Sequence, residues 1–171
     1  FQSSKYFENI EEIIKKDFKF KKKFITLGNS LVPKLNDPIS IHVRRGDYLT
    51  NPNHFSLDLD YYQNAIDYFG EDKEYFVFTD DPSWIRNQNF YNPENFKVVS
   101  NFTNGSTVLD LYIMSLSKKH IIANSTFSWW GAWLSNSKEV IYPLRWYKNE
   151  NESSEHLTLK SWTGIKNNFK E

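Results

Sequence analysis

Short apolar runs recur along this chain, and between them apolar residues return every three or four positions. The runs at 40–43, 75–78, 96–99, 120–123 and 140–142 have the length and the β-branched or aromatic content of strands. The stretches 60–69, 82–89, 106–118 and 125–136 have helical spacing. The second of these opens on Pro82, a residue suited to the first turn of a helix. The third aligns Leu109, Tyr112, Ile113 and Leu116. A further helix is expected over 4–16, with Phe7, Ile10, Ile13 and Ile14 on one face. The lysine-rich KFKKK at 19–23 reads as a solvated basic surface, and NENESSE at 149–155 as a polar loop. The segment 157–165 is expected to pack back through Leu157, Leu159 and Trp162. Strands alternating with helices predict an α/β fold, a Rossmann-like parallel sheet with helices on both faces.

That architecture places the polar residues. Open parallel sheets bind ligands beyond the carboxyl ends of their strands. Three polar clusters follow three of the predicted strands: Arg44, Arg45 and Asp47; Thr79, Asp80 and Asp81; Asn124, Ser125 and Thr126. They are expected to converge on one rim. In HVRRGD (42–47), His42 and Arg44 share one side of an extended segment, and Val43 and Arg45 the other, with Val43 toward the core. Guanidinium is planar, always charged and bidentate toward phosphate oxygens, so the pair suits a pyrophosphate. The same geometry suits an Arg–Asp ion pair within the loop, and the hexapeptide alone leaves both open. One arginine could serve a ligand while the other braces the loop.

In FVFTDDPSW (76–84), a carboxylate of Asp80 or Asp81 could accept two N–H donors, as guanine offers. An aspartate before proline is also a helix N-cap, and one of the two is assigned that task. In ANSTFSWWGAWLSNS (123–137), Asn124, Ser125, Thr126 and Ser128 precede or open a helix whose backbone N–H groups and dipole attract anions. An ordinary hydroxyl cap is the alternative. Trp129, Trp130 and Trp133 read as packing, although the three cannot all face one side of a helix.

Composition narrows the classes. The 171 residues fit one domain with a real core. Lys+Arg 21 balances Asp+Glu 21, so no basic surplus marks a nucleic-acid binder. The chain has no cysteine, which excludes disulfides, thiolate metal sites and cysteine nucleophiles. No apolar stretch approaches the roughly 20 residues of a membrane span. His54, His120 and His156 are isolated and read as structural. No Walker loop, nucleophile elbow, zinc-protease motif or dinucleotide fingerprint is present. The sequons at Asn101, Asn104, Asn124 and Asn151 read as chance, and Asn124 lies inside the expected site.

Taken together, HVRRGDY, FVFTDDPSW, DLYIMSLSKKHIIANSTFSWWGAWLS and the WY after VIYPLR resemble the α-1,2-fucosyltransferases, glycosyltransferase family 11. The resemblance runs in order from about Tyr6 to Trp146 and rests mainly on NSTFSWWGAWL. It implies inverting transfer of L-fucose from GDP-β-L-fucose to a galactose 2-hydroxyl. It implies a GT-B-type fold whose C-terminal half holds the sugar nucleotide, with no cofactor and no required metal. Carried over by motif, Arg44 and Arg45 match the arginine pair, at least one of them on the pyrophosphate. Asp80 or Asp81 matches the acidic pair near guanine. Asn124, Ser125, Thr126, Phe127 and Ser128 match the segment around the phosphates, and His42 and Asp47 flank the arginines or face the sugar. Asp47 is the nearest candidate base.

The family's glycine- and asparagine-rich segment near its N terminus has no counterpart here. Residues 1–171 are therefore expected to be a single GDP-fucose-binding domain, a fragment without most of the acceptor-side half and poorly active alone. The expected partners are GDP-fucose and a galactoside acceptor glycan, with no nucleic acid. A bacterial, cytoplasmic setting is expected, with peripheral association of the full-length protein at the inner membrane. The rivals are a non-catalytic nucleotide- or glycan-binding module, and a transferase using a different sugar nucleotide.

Overall fold

The computed structural model describes residues 3–32, 37–149 and 151–168. Six strands form one sheet: β1 (Ile39–Val43), β2 (Tyr75–Thr79), β3 (Phe96–Val98), β4 (Lys119–Ile121), β5 (Glu139–Pro143) and β6 (Thr163–Ile165). Their order is β3-β2-β1-β4-β5-β6, and each neighbouring pair is parallel. This is the doubly wound order, with its reversal of direction between β1 and β4. All five predicted runs are strands. β6 comes from the segment expected only to pack back; it pairs Ile141 with Thr163 and Pro143 with Ile165.

Alternation along the strands sorts the core into two faces. Ile39, Ile41, Val43, Tyr75 and Val77 point to one face. There they meet α3 (Leu59–Phe69) through Tyr61, Tyr62, Ala65 and Ile66, and α4 (Pro82–Arg86) through Ile85. Phe76 and Phe78 point to the opposite face, against Tyr112, Ile113 and Met114 of α6 (Thr107–Leu116). On the β4–β5 side, Ile122 and Val140 pack with Trp129, Ala132 and Trp133 of α7 (Thr126–Leu134) and with Trp146, Leu157 and Trp162. A strand buried on both faces tolerates a polar side chain only when it is partnered. Ser40 and His120 satisfy this: Ser40 Oγ lies 3.1 Å from His120 Nδ1, and His120 Nε2 lies 3.1 Å from the Ser117 carbonyl. Burial pushes the His120 imidazole down to about 4.

One expectation changes, and further helices are added. The helix expected over 4–16 is two 3-10 turns, Ser4–Tyr6 and Glu8–Ile10, followed by α1 (Glu11–Asp17). Phe7 interrupts it with φ −145°, because its ring is drawn among Trp129, Trp130 and Trp133, 5.2–6.5 Å between centroids. Ile10 and Ile13 are consequently exposed. The lysine run is surface, as expected: Lys19, Lys21, Lys22 and Lys23 are all exposed. Lys22 and Lys23 open α2 (Lys22–Leu31), which packs on α6 through Gly28 and Ile25. A four-residue helix, α5 (Ser100–Thr103), follows β3.

Candidate active site

The carboxyl ends of β1, β2 and β4 bring the polar clusters to one rim, as the strand pattern required. A cleft of about 610 Å³ opens there, within the roughly 300–1,000 Å³ of small-molecule sites. His42, Arg44, Asp47, Thr79, Asp80, Ser125, Thr126 and Phe127 line it. Arg45, Asp81, Asn124 and Ser128 stand behind it.

The two arginines part company because adjacent residues of an extended chain face opposite ways. Arg44 turns to the cleft. Its Nη2 lies 2.7 Å from Asp47 Oδ1, its Nη1 2.9 Å from Asp80 Oδ2, and its guanidinium 5.5 Å from the Tyr48 ring centroid. Arg45 turns toward α4. Its Nε donates to Asp81 Oδ2 at 3.2 Å, and its guanidinium covers Trp84 at 4.3 Å. Its backbone N–H donates to Asp80 Oδ1 at 2.9 Å. Asp81 is the helix cap, accepting the Trp84 N–H at 2.9 Å on Oδ1. Both arginines thus make the carboxylate pairs that the hexapeptide left open. Arg45 is the brace, and Arg44 presents its charge to the cleft. Gly46 is needed here, because a Cβ would stand 2.6 Å from Asp80 Oδ2.

His42 is buried beside Phe127, 5.5 Å between ring centroids. Desolvation, then the neighbouring Arg44 charge, pushes its pKa down to about 3. It is a neutral imidazole, and its Nδ1 is occluded with no hydrogen-bond partner. Asn124 is fully buried and clamps two loops, its Nδ2 donating to the Phe55 and Trp146 carbonyls at 3.1 Å each. Such a side chain accepts no glycan. Ser125 caps α7, accepting the Phe127 N–H, and Ser128 donates to the Ala123 and Ser125 carbonyls. The amino end of α7 therefore faces the cleft at Thr126 and Phe127, opposite Arg44.

Sequence reasoning missed several lining residues, among them Tyr48, Asn51, His54 and Asp110. Asp110 carries a visible signal, a lone carboxylate inside the otherwise apolar TVLDLYIMSL. It is partly buried, which raises its pKa, and its Oδ1 accepts the Thr103 hydroxyl at 2.6 Å. Among the described residues it has no cationic partner, whereas Asp47 and Asp80 share Arg44. Burial also raises the Tyr48 phenol, which donates to the Asn124 carbonyl at 3.2 Å. Among the described residues no three His, Asp or Glu side chains converge as a metal site would need, and no helix is long and apolar enough to cross a membrane.

Comparison with known proteins gives the family. The family model described as Glycosyl transferase family 11 matches residues 1–166. An O-antigen biosynthesis glycosyltransferase of Escherichia coli is 42% identical over 74% of this chain and 44% of its own length. An alpha-1,2-colitosyltransferase of Escherichia coli is 36% identical over 78% of the chain and 49% of its own length. A galactoside 2-alpha-L-fucosyltransferase of Caenorhabditis elegans is 27% identical over 94% and 47%. The chain spans about half the length of the curated relatives it matches.

Proposed function

The chain belongs to glycosyl transferase family 11, and we propose that it forms the donor-binding part of an inverting transferase that moves L-fucose from GDP-β-L-fucose to the 2-hydroxyl of a galactose-containing glycan. One observation carries the reading: Arg44 and the amino end of α7 face one cleft at the reversal point of a doubly wound sheet.

Breaking the bond between the sugar and the β-phosphate leaves negative charge on GDP. Arg44 and the α7 N–H groups are already oriented toward that charge, in a site where little has to reorganise. Arg44 is held by Asp47 and Asp80 on two edges, so its guanidinium is fixed before any ligand arrives. Arg45 acts through the loop, keeping Asp81 and α4 in register with β1. The guanine edge is assigned to Asp110, because Asp80 and Asp81 are already engaged by arginines. A carboxylate at the cleft wall with no cationic partner among the described residues can take both N–H donors of the base. Asp47 remains the candidate to receive the acceptor proton, with the Arg44 guanidinium 2.7 Å from its Oδ1.

The likeness to an alpha-1,2-colitosyltransferase favours a second reading within the same chemistry, transfer of colitose in place of fucose. Both are tested by calorimetric titration of GDP, ADP and UDP into the chain and its Arg44→Ala, Arg45→Ala and Asp110→Asn variants. Selective GDP binding, lost in Arg44→Ala and weakened in Asp110→Asn, is the expected result. A folded chain that binds all three nucleotides equally, or none, would overturn the reading.

A further inference from the structure

His54 lines the same cleft and has no task in the reading above. The loop after β1 stacks its ring on Tyr48, 4.8 Å between centroids and 10° between planes. Tyr147, just beyond β5, lies 6.4 Å away. The loop itself is fixed: Asn51 Oδ1 accepts the backbone N–H groups of Asn53 and His54 at 2.8 and 3.0 Å. Ring contacts and backbone therefore hold the imidazole, and neither ring nitrogen has a hydrogen-bond partner among the described residues. Nδ1 is shut off from solvent; Nε2, at the other edge of the ring, is not among the occluded atoms.

This arrangement selects a tautomer. A buried N–H without an acceptor is rarer and costlier than a bare lone pair. A hydrogen on Nδ1 would meet no acceptor, so the neutral ring carries it on Nε2. The cleft wall thus holds a fixed N–H donor beside the Tyr48 ring.

We propose that the Tyr48–His54 pair is the subsite for the transferred sugar, with His54 Nε2–H donating to one of its oxygens. The proposal rests on the donor reading above and extends it. Sheet order sets the direction of the ligand. Asp110, bonded to Thr103 of the helix after β3, lies toward β3, Arg44 and the α7 amino end lie at β1 and β4, and the His54 ring lies 6.4 Å from Tyr147, beyond β5. A base at Asp110 and a pyrophosphate at Arg44 leave the sugar against Tyr48 and His54. In this subsite His54 reads the sugar rather than abstracting a proton, since its lone pair is the buried one. A sugar lacking the matching oxygen leaves the N–H unpaired and is rejected.

The test compares GDP with GDP-fucose by calorimetry on the wild-type chain, His54→Ala and His54→Gln. Glutamine places an amide N–H near Nε2. His54→Ala is expected to weaken GDP-fucose about tenfold with GDP unchanged, the worth of one lost hydrogen bond. His54→Gln is expected to stay within about twofold of wild type. Imidazole ¹⁵N spectra of the wild type are expected to show Nε2 protonated and Nδ1 bare. Equal weakening of GDP and GDP-fucose in His54→Ala, no weakening at all, or a protonated Nδ1 overturns the subsite. So does a His54→Gln variant as impaired as alanine. A wild type that binds no GDP brings down the donor reading itself, and the subsite with it.

Discussion

Arg44 and Arg45 are chemically identical and one peptide apart, yet their surroundings separate them. Arg45 is the more buried, 18% exposed against 37%, and covers Trp84 while holding Asp81. Replacing it with alanine is expected to lower stability by about 1–2 kcal/mol, read by urea denaturation. Arg44→Ala is expected to leave the melt nearly unchanged and to abolish GDP binding. The two histidines of the sheet set an acid limit. His42 at about 3 and His120 at about 4 are both depressed from 6.5, so between those values the unfolded chain binds more protons than the native one. Stability is therefore expected to fall as pH drops from 6.5 to about 4, by up to about 1.4 kcal/mol per pH unit for each group. Below that, His42 alone continues the loss. Thermal melts across this range check it, and a flat profile would mean that the rings are not buried neutral. The arginine pair, the capping aspartate and the Ser125 cap were all legible in the sequence, because each depends on near neighbours. Asp110 showed only as a lone carboxylate in an apolar helix, and Tyr48 and His54 not at all, because all three reach the cleft only through the packing of α6 and the loop after β1.

Strands were the most legible elements, since continuous apolar runs are what two-sided burial demands. The missed α2 shows the limit of that signal. Its lysines sit at the exposed start, while Gly28 is buried because the Tyr112 ring occupies the space of a side chain. Contact this close is invisible until the partner helix is known. The same device joins α6 to α7, where a Cβ on Gly131 would collide with the Met114 side chain. Gly131→Ala is expected to cost about 1–3 kcal/mol by overpacking. In a Met114→Ala background that cost is expected to shrink, a coupling that a double-mutant cycle measures directly. The broken first helix has the opposite cause: burying one phenylalanine among three tryptophans outweighs the continuity of a short helix.

For the molecule as a whole, the sheet is completed by its last strand. β6 pairs with β5, Asn167 holds both backbone groups of Arg145, and Leu157 and Trp162 cover Trp129. Removing residues 157–168 is expected to cost about 3–6 kcal/mol from those two apolar side chains alone. The expected outcome is loss of a cooperative melt together with binding of an apolar dye. The parallel sheet with helices on both faces and the rim of polar clusters followed from the alternation of strands and helices; the strand order did not. The sheet's β5 edge did not, because three residues at 163–165 are too few to show a period. One consequence of this layout is optical. Of the six tryptophans, Trp129, Trp130, Trp133, Trp146 and Trp162 belong to a single core, and Trp84 alone lies under Arg45 at the rim. Light emitted by the first five reports whether the protein is folded. Emission from Trp84, isolated by subtracting the spectrum of Trp84→Phe, reports whether the rim has been disturbed, so the chain carries its own titration indicator.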